Sequence, residues 1–253
     1  MIRDISAIDY TGRSTVRHPQ SEKACKELKY MTNARICVGR AGTGYQTENY
    51  LRYLADHAAA MDSVWAEVND SLFEQWNFYK VETCARTKEI YIKRPDLGRK
   101  FSTDVAEKIK NECIHHADVQ ILVADGLSAY AVNENVPDMY EILTDGLRAE
   151  GYMLGTPIFI RHGRVGAMDH ISELLKSKIT VLLIGERPGL ITNKSLSCYM
   201  AYEASTKKPE SQRTVVSNIY RDGTPPMEAA AQIVQICSLM MKEKKSGAEL
   251  KLV

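Results

Sequence analysis

Glu186 and Arg187 stand where an apolar run stops. The stretch VLLIGERPGL, residues 181–190, carries branched residues suited to a buried strand, then Gly185, the charged pair, and Pro188 with Gly189 to fix the chain behind it. A carboxylate and a guanidinium held at a strand end offer an acceptor and a donor to a polar ligand. Two further apolar runs end in the same way, one in Ala124-Asp125-Gly126-Leu127-Ser128-Ala129 and one in Arg161-His162-Gly163-Arg164-Val165-Gly166. Ligands of open α/β sheets lie beyond the carboxyl ends of the strands, so these three exits predict a composite ligand edge.

Each of these groups also has a purely structural use. Asp125 with Ser128 suits a strand exit and turn as well as it suits a ligand. Glu186 with Arg187 suits an ion pair at a sheet end. The loop GRAGTG, residues 39–44, fits neither G-x-x-x-x-G-K-[ST] nor a G-x-G-x-x-G inside a βαβ unit, and predicts a tight turn. There is no G-x-S-x-G elbow and no cysteine in a Cys–His signature. His115-His116 closes a helix, where a cation complements the dipole, and His57 suits packing or surface. The ligand edge is legible; a self-sufficient catalytic centre is not.

The elements that must position this edge follow from periodicity. Residues 1–33 alternate charges with Gly12 and Pro19 and predict a flexible N-terminal arm. Residues 34–97 read as a helical N-terminal domain: Tyr50/Leu51, Leu54, Ala58, Met61 and Trp65 recur at three- and four-residue steps, AEVNDSLFEQW continues the helical character, and KEIYIKRPDLGRK reads as β-rich. Residues 98–253 alternate helix and strand, with strands over 118–126, 156–162 and 178–186. Continuous apolar strands between helices of about ten residues mean a parallel sheet covered on both faces. SLSCYMAYEAS and TVVSNIY add further strands, and PPMEAAAQIVQICSLMMKEKKSG a closing helix. The expected fold is α/β, a doubly wound, Rossmann-like, mostly parallel sheet with a smaller N-terminal helical domain.

Composition narrows the partners. With 33 Lys+Arg against 32 Asp+Glu, the formal net charge of +1 gives no field to gather nucleic acid or an anionic membrane. No apolar run reaches a membrane-spanning length, and MIRDISAIDYTGRS lacks the apolar core of a secretory signal. The six cysteines are scattered with no C-x-x-C pair, which suits reduced thiols in a cytosolic-type compartment.

Taken in order, ICVGRAGT, QTENYLRYLADHAAAMDSV, RPDLGR, ADGLSAYAV, HGRV with MDHI, LLIGERPGL with SLSCY, and SNIYRDGTPP with EAAA closely resemble the small subunit of ethanolamine ammonia-lyase over about residues 34–245. The resemblance implies half of an adenosylcobalamin-dependent lyase that converts ethanolamine to acetaldehyde and ammonia. The large subunit would hold substrate and the radical site, and the small subunit would help hold the corrinoid at their interface. Carried over motif by motif, the cobalamin contacts are Arg164 and Val165 in HGRV, Glu186 in GERPGL, and Val215 before VSN. No catalytic residue and no metal ligand is implied: Asp169-His170 is followed by Ile-Ser-Glu, so the D-x-H-x-x-G signature of base-off cobalamin domains is missing. The resemblance further implies a cytoplasmic location within an ethanolamine-utilisation microcompartment, with Ile2, Ile5 and Ile8 as a delivery signal. The alternatives are a stand-alone α/β nucleotide-binding module using Asp125, Ser128 and Glu186 with the 39–44 loop, or an adaptor whose exposed apolar helix face docks a partner.

Overall fold

The computed structural model describes residues 8, 10 and 12–251, so Ile2 and Ile5 of the expected delivery signal lie outside the described residues. Contacts divide the chain into two units, one running to Ser63 and including Pro188–Asn193, the other comprising Val64–Arg187 and Lys194 onward.

In the first unit, α1 (Glu22–Met31) stands where an extended arm is expected from the sequence. It buries no residue, so apolar periodicity could not announce it. Ser21 caps it, accepting from the Ala24 N–H at 3.2 Å, and Glu22–Lys26 and Lys23–Glu27 pair one turn apart. The 39–44 loop forms the predicted tight turn, between β1 (Arg40–Ala41) and β2 (Gly44–Tyr45). It leads into α2 (Thr47–Trp65).

The second unit begins with α3 (Ser71–Glu74) and β3 (Tyr79–Glu82), a strand inside the stretch read as helical. KEIYIK, read as β-rich, forms α4 (Lys88–Lys93). Local capping overrides the β-branched residues here: Thr87 accepts from the Ile90 N–H at 3.3 Å, Glu89 occupies the first turn and Lys93 the last. There follow α5 (Thr103–Glu112), β4 (Val119–Ala124), α6 (Ala129–Ala149), β5 (Ile158–Arg161), α7 (Ala167–Leu175) and β6 (Ile179–Gly185). The chain ends with β7 (Leu196–Tyr202), β8 (Thr214–Ile219) and α8 (Pro226–Glu243).

The six strands order as β3-β5-β4-β6-β7-β8. The β3/β5, β5/β4 and β4/β6 pairs are parallel, and β7 and β8 are added antiparallel. Alternation sorts the side chains of each strand to two cores. Ile121 and Val123 of β4 join one core, to which α6 and α8 contribute Met139, Leu143, Ile233 and Cys237; Leu122 and Ala124 join the other, with Ile109 of α5 and Met168 and Ile171 of α7. The sheet is covered on both faces, as the expected α/β class requires. From β4 the chain crosses by α6 to β5 on one side, then by α7 to β6 on the other. The strand order therefore reverses between β4 and β6, the position where ligands gather in such sheets.

The β7/β8 ladder carries a register shift between Leu196 and Cys198, and Asn218 near the end of β8 adopts a left-handed conformation with φ +62°.

Candidate functional site

The β4 exit is built from groups consumed by the fold. Asp125 is buried, and its two carboxylate oxygens accept the backbone N–H groups of His162 at 2.8 Å and Gly163 at 3.0 Å. The Lys88 ammonium lies 3.8 Å away. Desolvation raises the Asp125 pKa, and the Lys88 charge and the two N–H donors oppose that shift. Ser128 caps α6, its hydroxyl accepting from the Ala131 N–H at 3.1 Å. Asp125 and Ser128 thus shape the edge rather than face a ligand.

The loop that Asp125 holds is HGRV. His162 takes φ +56°, a left-handed conformation that costs a residue with a side chain of the order of 1 kcal/mol, and the bond to Asp125 keeps it there. Behind the loop, the Arg164 N–H donates to the Gly98 carbonyl at 2.8 Å. Gly98 must be a glycine: a Cβ there would lie 2.7 Å from Arg164 Cγ and 3.0 Å from the His162 carbonyl oxygen. The RPDLGR segment is therefore a backing plate for HGRV.

Arg164 lies with its guanidinium carbon 4.2 Å from the Tyr91 ring centre, and Nη2 donates to the Tyr91 carbonyl at 3.1 Å. Its Nε is buried without a hydrogen-bond partner. Tyr91 is itself fully buried and donates its hydroxyl to the Gly163 carbonyl at 2.9 Å. Val165 is half-buried and packs on the core formed with α5 and α7.

At the β6 exit the backbone is drawn against the loop after β4. Leu127 N–H donates to the Gly185 carbonyl at 3.0 Å. A Cβ on Gly126 would stand 2.1 Å from the Gly185 oxygen, and one on Gly185 would stand 2.1 Å from the Ser128 oxygen. The glycine that ends VLLIG is thus a requirement of close backbone approach. Glu186 beyond it is half-buried, and its Oε1 accepts from the Tyr199 hydroxyl at 3.3 Å. Among the described residues no ion pair joins Glu186 to Arg187, so the pairing of those two neighbours is not what the structure shows.

Tyr199 of β7 packs on the same core as Val165, and in register it lies between Leu182 of β6 and Val215 of β8. Side chains opposite one another across a ladder share a face. Val215 is 43% exposed on that face, level with the middle of β6. From β5 to β8 the sheet spans four strand spacings, about 19 Å. The four sequence-chosen residues, Arg164, Val165, Glu186 and Val215, therefore lie along a broad surface at one edge and face of the sheet. Tyr91 and Tyr199 were not chosen from sequence, although Tyr199 lies in the SLSCY segment; their roles appear only once α4 and β7 are in place.

His170 packs 5.6 Å, centre to centre, from the Phe101 ring, and burial pushes its pKa down. It is a packed histidine of the α7 face. The other candidate edge donors, in the 39–44 loop, are used locally: Gly39 N–H donates to Thr15 Oγ1 at 3.0 Å and its carbonyl accepts from the Gln46 N–H at 3.2 Å. The nucleotide-module alternative loses Asp125, Ser128 and Gly39 in this way.

The family model for the ethanolamine ammonia-lyase light chain (EutC) matches residues 22–251. The chain belongs to this family. The light-chain assignment is supported at high identity by individual relatives. The ethanolamine ammonia-lyase small subunit of Clostridium acetobutylicum is 56% identical over 231 residues, 91% of this chain and 96% of that protein. The small subunits from Clostridium tetani and Clostridioides difficile are 46% and 42% identical, over 100% and 99% of this chain and 85% of each relative. The enzyme in these names is a carbon–nitrogen lyase. Among the described residues of this light chain, no helix is long and apolar enough to cross a membrane, and no group of three or more His, Cys, Asp or Glu side chains could hold a metal ion.

Proposed function

We propose that this chain is the small subunit of an adenosylcobalamin-dependent ethanolamine ammonia-lyase, and that the surface from HGRV to β8 helps hold the cobalamin where a large subunit closes over it. The observation that carries the cofactor reading is the shared placement of Val165, Glu186 and Val215 on one face of the sheet, with Arg164 beside them.

The residues fit such a ligand. A corrin rim is set with amides, so it is met by scattered acceptors and donors and by apolar area, not by a phosphate cage. Glu186, steadied by Tyr199, accepts from an amide or a ribose hydroxyl. Arg164 brings a guanidinium to the same edge, partly buried against Tyr91. Val165 and Val215 supply apolar contact. When bound, adenosylcobalamin supplies the radical by homolysis of its own cobalt–carbon bond; this chain binds, orients and shields it. A location within an ethanolamine-utilisation microcompartment belongs to the same proposal.

The test is a coupled acetaldehyde assay with ethanolamine and adenosylcobalamin, run on the large subunit from the same source with and without this chain. Turnover only when both chains are present supports the reading. A folded chain that adds nothing to the large subunit overturns it.

A further inference from the structure

The two sides of the candidate cofactor surface are joined by a chain of charges. Arg213 and Asp169 are almost out of solvent, with side chains 10% and 8% exposed, and Arg213 Nη2 donates to Asp169 Oδ2 at 2.5 Å. From there the charges alternate outward: Arg213 Nη1 lies 3.5 Å from Glu210 Oε1, and Arg99 Nη1 lies 3.2 Å from the same oxygen. Arg99 belongs to the RPDLGR plate behind HGRV, and its side chain passes against Gly166, where an added Cβ would meet Arg99 Cγ and Cδ at 3.2 Å. Burial raises the Asp169 pKa, and the bond to Arg213 and its charge oppose that shift.

The helix that makes the connection is α7. It starts at Ala167, straight after HGRV, and grips the loop between β7 and β8 at two places. Glu173 Oε1 accepts from the Ser205 hydroxyl at 2.6 Å and from the Thr206 N–H and hydroxyl, both at 2.9 Å. One turn earlier, Asp169 takes Arg213 at the other end of that loop, where β8 begins. Asp169 stands four residues after Val165; Arg213, in extended backbone, stands two residues before Val215 and so on the same face of the strand. Arg213 is also near enough to Tyr199 for its charge to oppose the burial and the Glu186 charge that raise that phenol's pKa. Stability alone is a poor reason for such a pair. Taking two ions out of water costs about what their attraction returns, and apolar residues of the same volume hold a helix to a sheet at least as well. What the pair adds is one allowed register, because a guanidinium and a carboxylate bond only at a fixed distance and angle.

We infer that Asp169 and Arg213 are positioning residues for the cofactor surface: their pair sets β8 and its Val215 against α7 and the HGRV loop, so that both sides meet one ligand without rearrangement. The inference rests on the cobalamin reading above. Neither side chain is exposed enough to be a main contact, so both act through Val165, Val215 and Tyr199.

The test compares Asp169→Asn, Arg213→Gln, the double variant and Glu210→Gln, each assembled with the large subunit, by absorbance titration with adenosylcobalamin. Residues that bias a site without touching its ligand move affinity by about 2- to 30-fold. Each buried single variant should bind about tenfold more weakly, and the double variant no more weakly than the weaker single, since one pair is lost in all three. Glu210→Gln changes an exposed position and should cost no more than about threefold. Hydrogen exchange on the full chain without its partner gives a readout that needs neither assembly nor cofactor: amides over residues 164–169 and 214–216 should exchange faster in the two buried single variants, with those of β4 unchanged. A pair that serves only stability would lower Tm and leave affinity and this local exchange as in wild type, which overturns the inference. So does a double variant whose loss is the product of the single losses. Wild type that assembles and binds no cobalamin removes the cofactor reading, and the inference with it.

Discussion

Tyr199 donates its hydroxyl to Glu186 Oε1 at 3.3 Å, a bond that joins the antiparallel strand β7 to the loop leaving the parallel strand β6. Burial, and then the neighbouring Glu186 charge, raise the Tyr199 pKa, so the phenol remains a donor throughout the neutral range. Glu186→Ala should weaken cobalamin binding to the assembled enzyme by about tenfold, the equivalent of one hydrogen bond to a charged group. Tyr199→Phe, which only unsteadies that carboxylate, should cost less, about two- to fivefold. Equilibrium titration of cofactor by absorbance reads both; equal affinity of Glu186→Ala and wild type would remove Glu186 from the site.

Asp125 offers both carboxylate oxygens to backbone N–H groups of the HGRV loop. In Asp125→Asn one of those oxygens becomes an amide nitrogen that faces a donor. The expected loss is about 2–3 kcal/mol of stability, appearing in urea unfolding as a lower midpoint at unchanged slope. A midpoint shift below about 0.5 kcal/mol would mean that the loop holds itself without Asp125.

Gly185→Ala places a methyl group 2.1 Å from the Ser128 carbonyl oxygen, in a place where only backbone could give way. The variant should lose more than about 3 kcal/mol and be recovered mainly in the insoluble fraction. Gly189→Ala, whose Cβ would have nothing nearer than 3.7 Å, is the control and should express as wild type does.

Acid sensitivity should report His170. Burial pushes its folded pKa below the ordinary histidine value of 6.5, so the unfolded chain takes up the proton more readily than the folded one. Stability from this group is complete above pH 6.5 and is lost as pH falls from there towards the folded pKa. Thermal melts at pH 7.5 and 5.5 should show a smaller fall in Tm for His170→Gln than for wild type. Identical falls would place the acid sensitivity elsewhere.

The alternating half of the chain was legible because burial on both faces leaves continuous apolar runs. VQILVA, IFIR and ITVLLIG have almost no alternative to parallel strands between helices, and they are β4, β5 and β6. Elements that owe little to burial were not. The helix α1 has no buried residue and stands on a cap and two charge pairs, and α4 forms from a β-branched segment because Thr87 caps it. In α6 the Ser128 cap starts the helix at Ala129 and Pro137 lies inside it, where a proline would ordinarily mark a start or a break. Of the candidate surface, the strand exits were legible and the contacts that steady them were not. Glu186 and Arg164 follow from their positions after strands, but the Tyr199 contact depends on β7 returning antiparallel in a register that sets Tyr199 opposite Leu182. That register is a property of the whole sheet and leaves no trace in a short stretch of sequence.

The two margins of the six-stranded sheet finish differently from its centre. At one margin β3 has only four residues; at the other, the β8 ladder is broken by a register shift near its end, where Asn218 is left-handed. Neither presents a long straight row of open peptide groups on which a stray strand could template itself. Two copies of the chain that meet margin to margin therefore find little backbone with which to extend one sheet into the next.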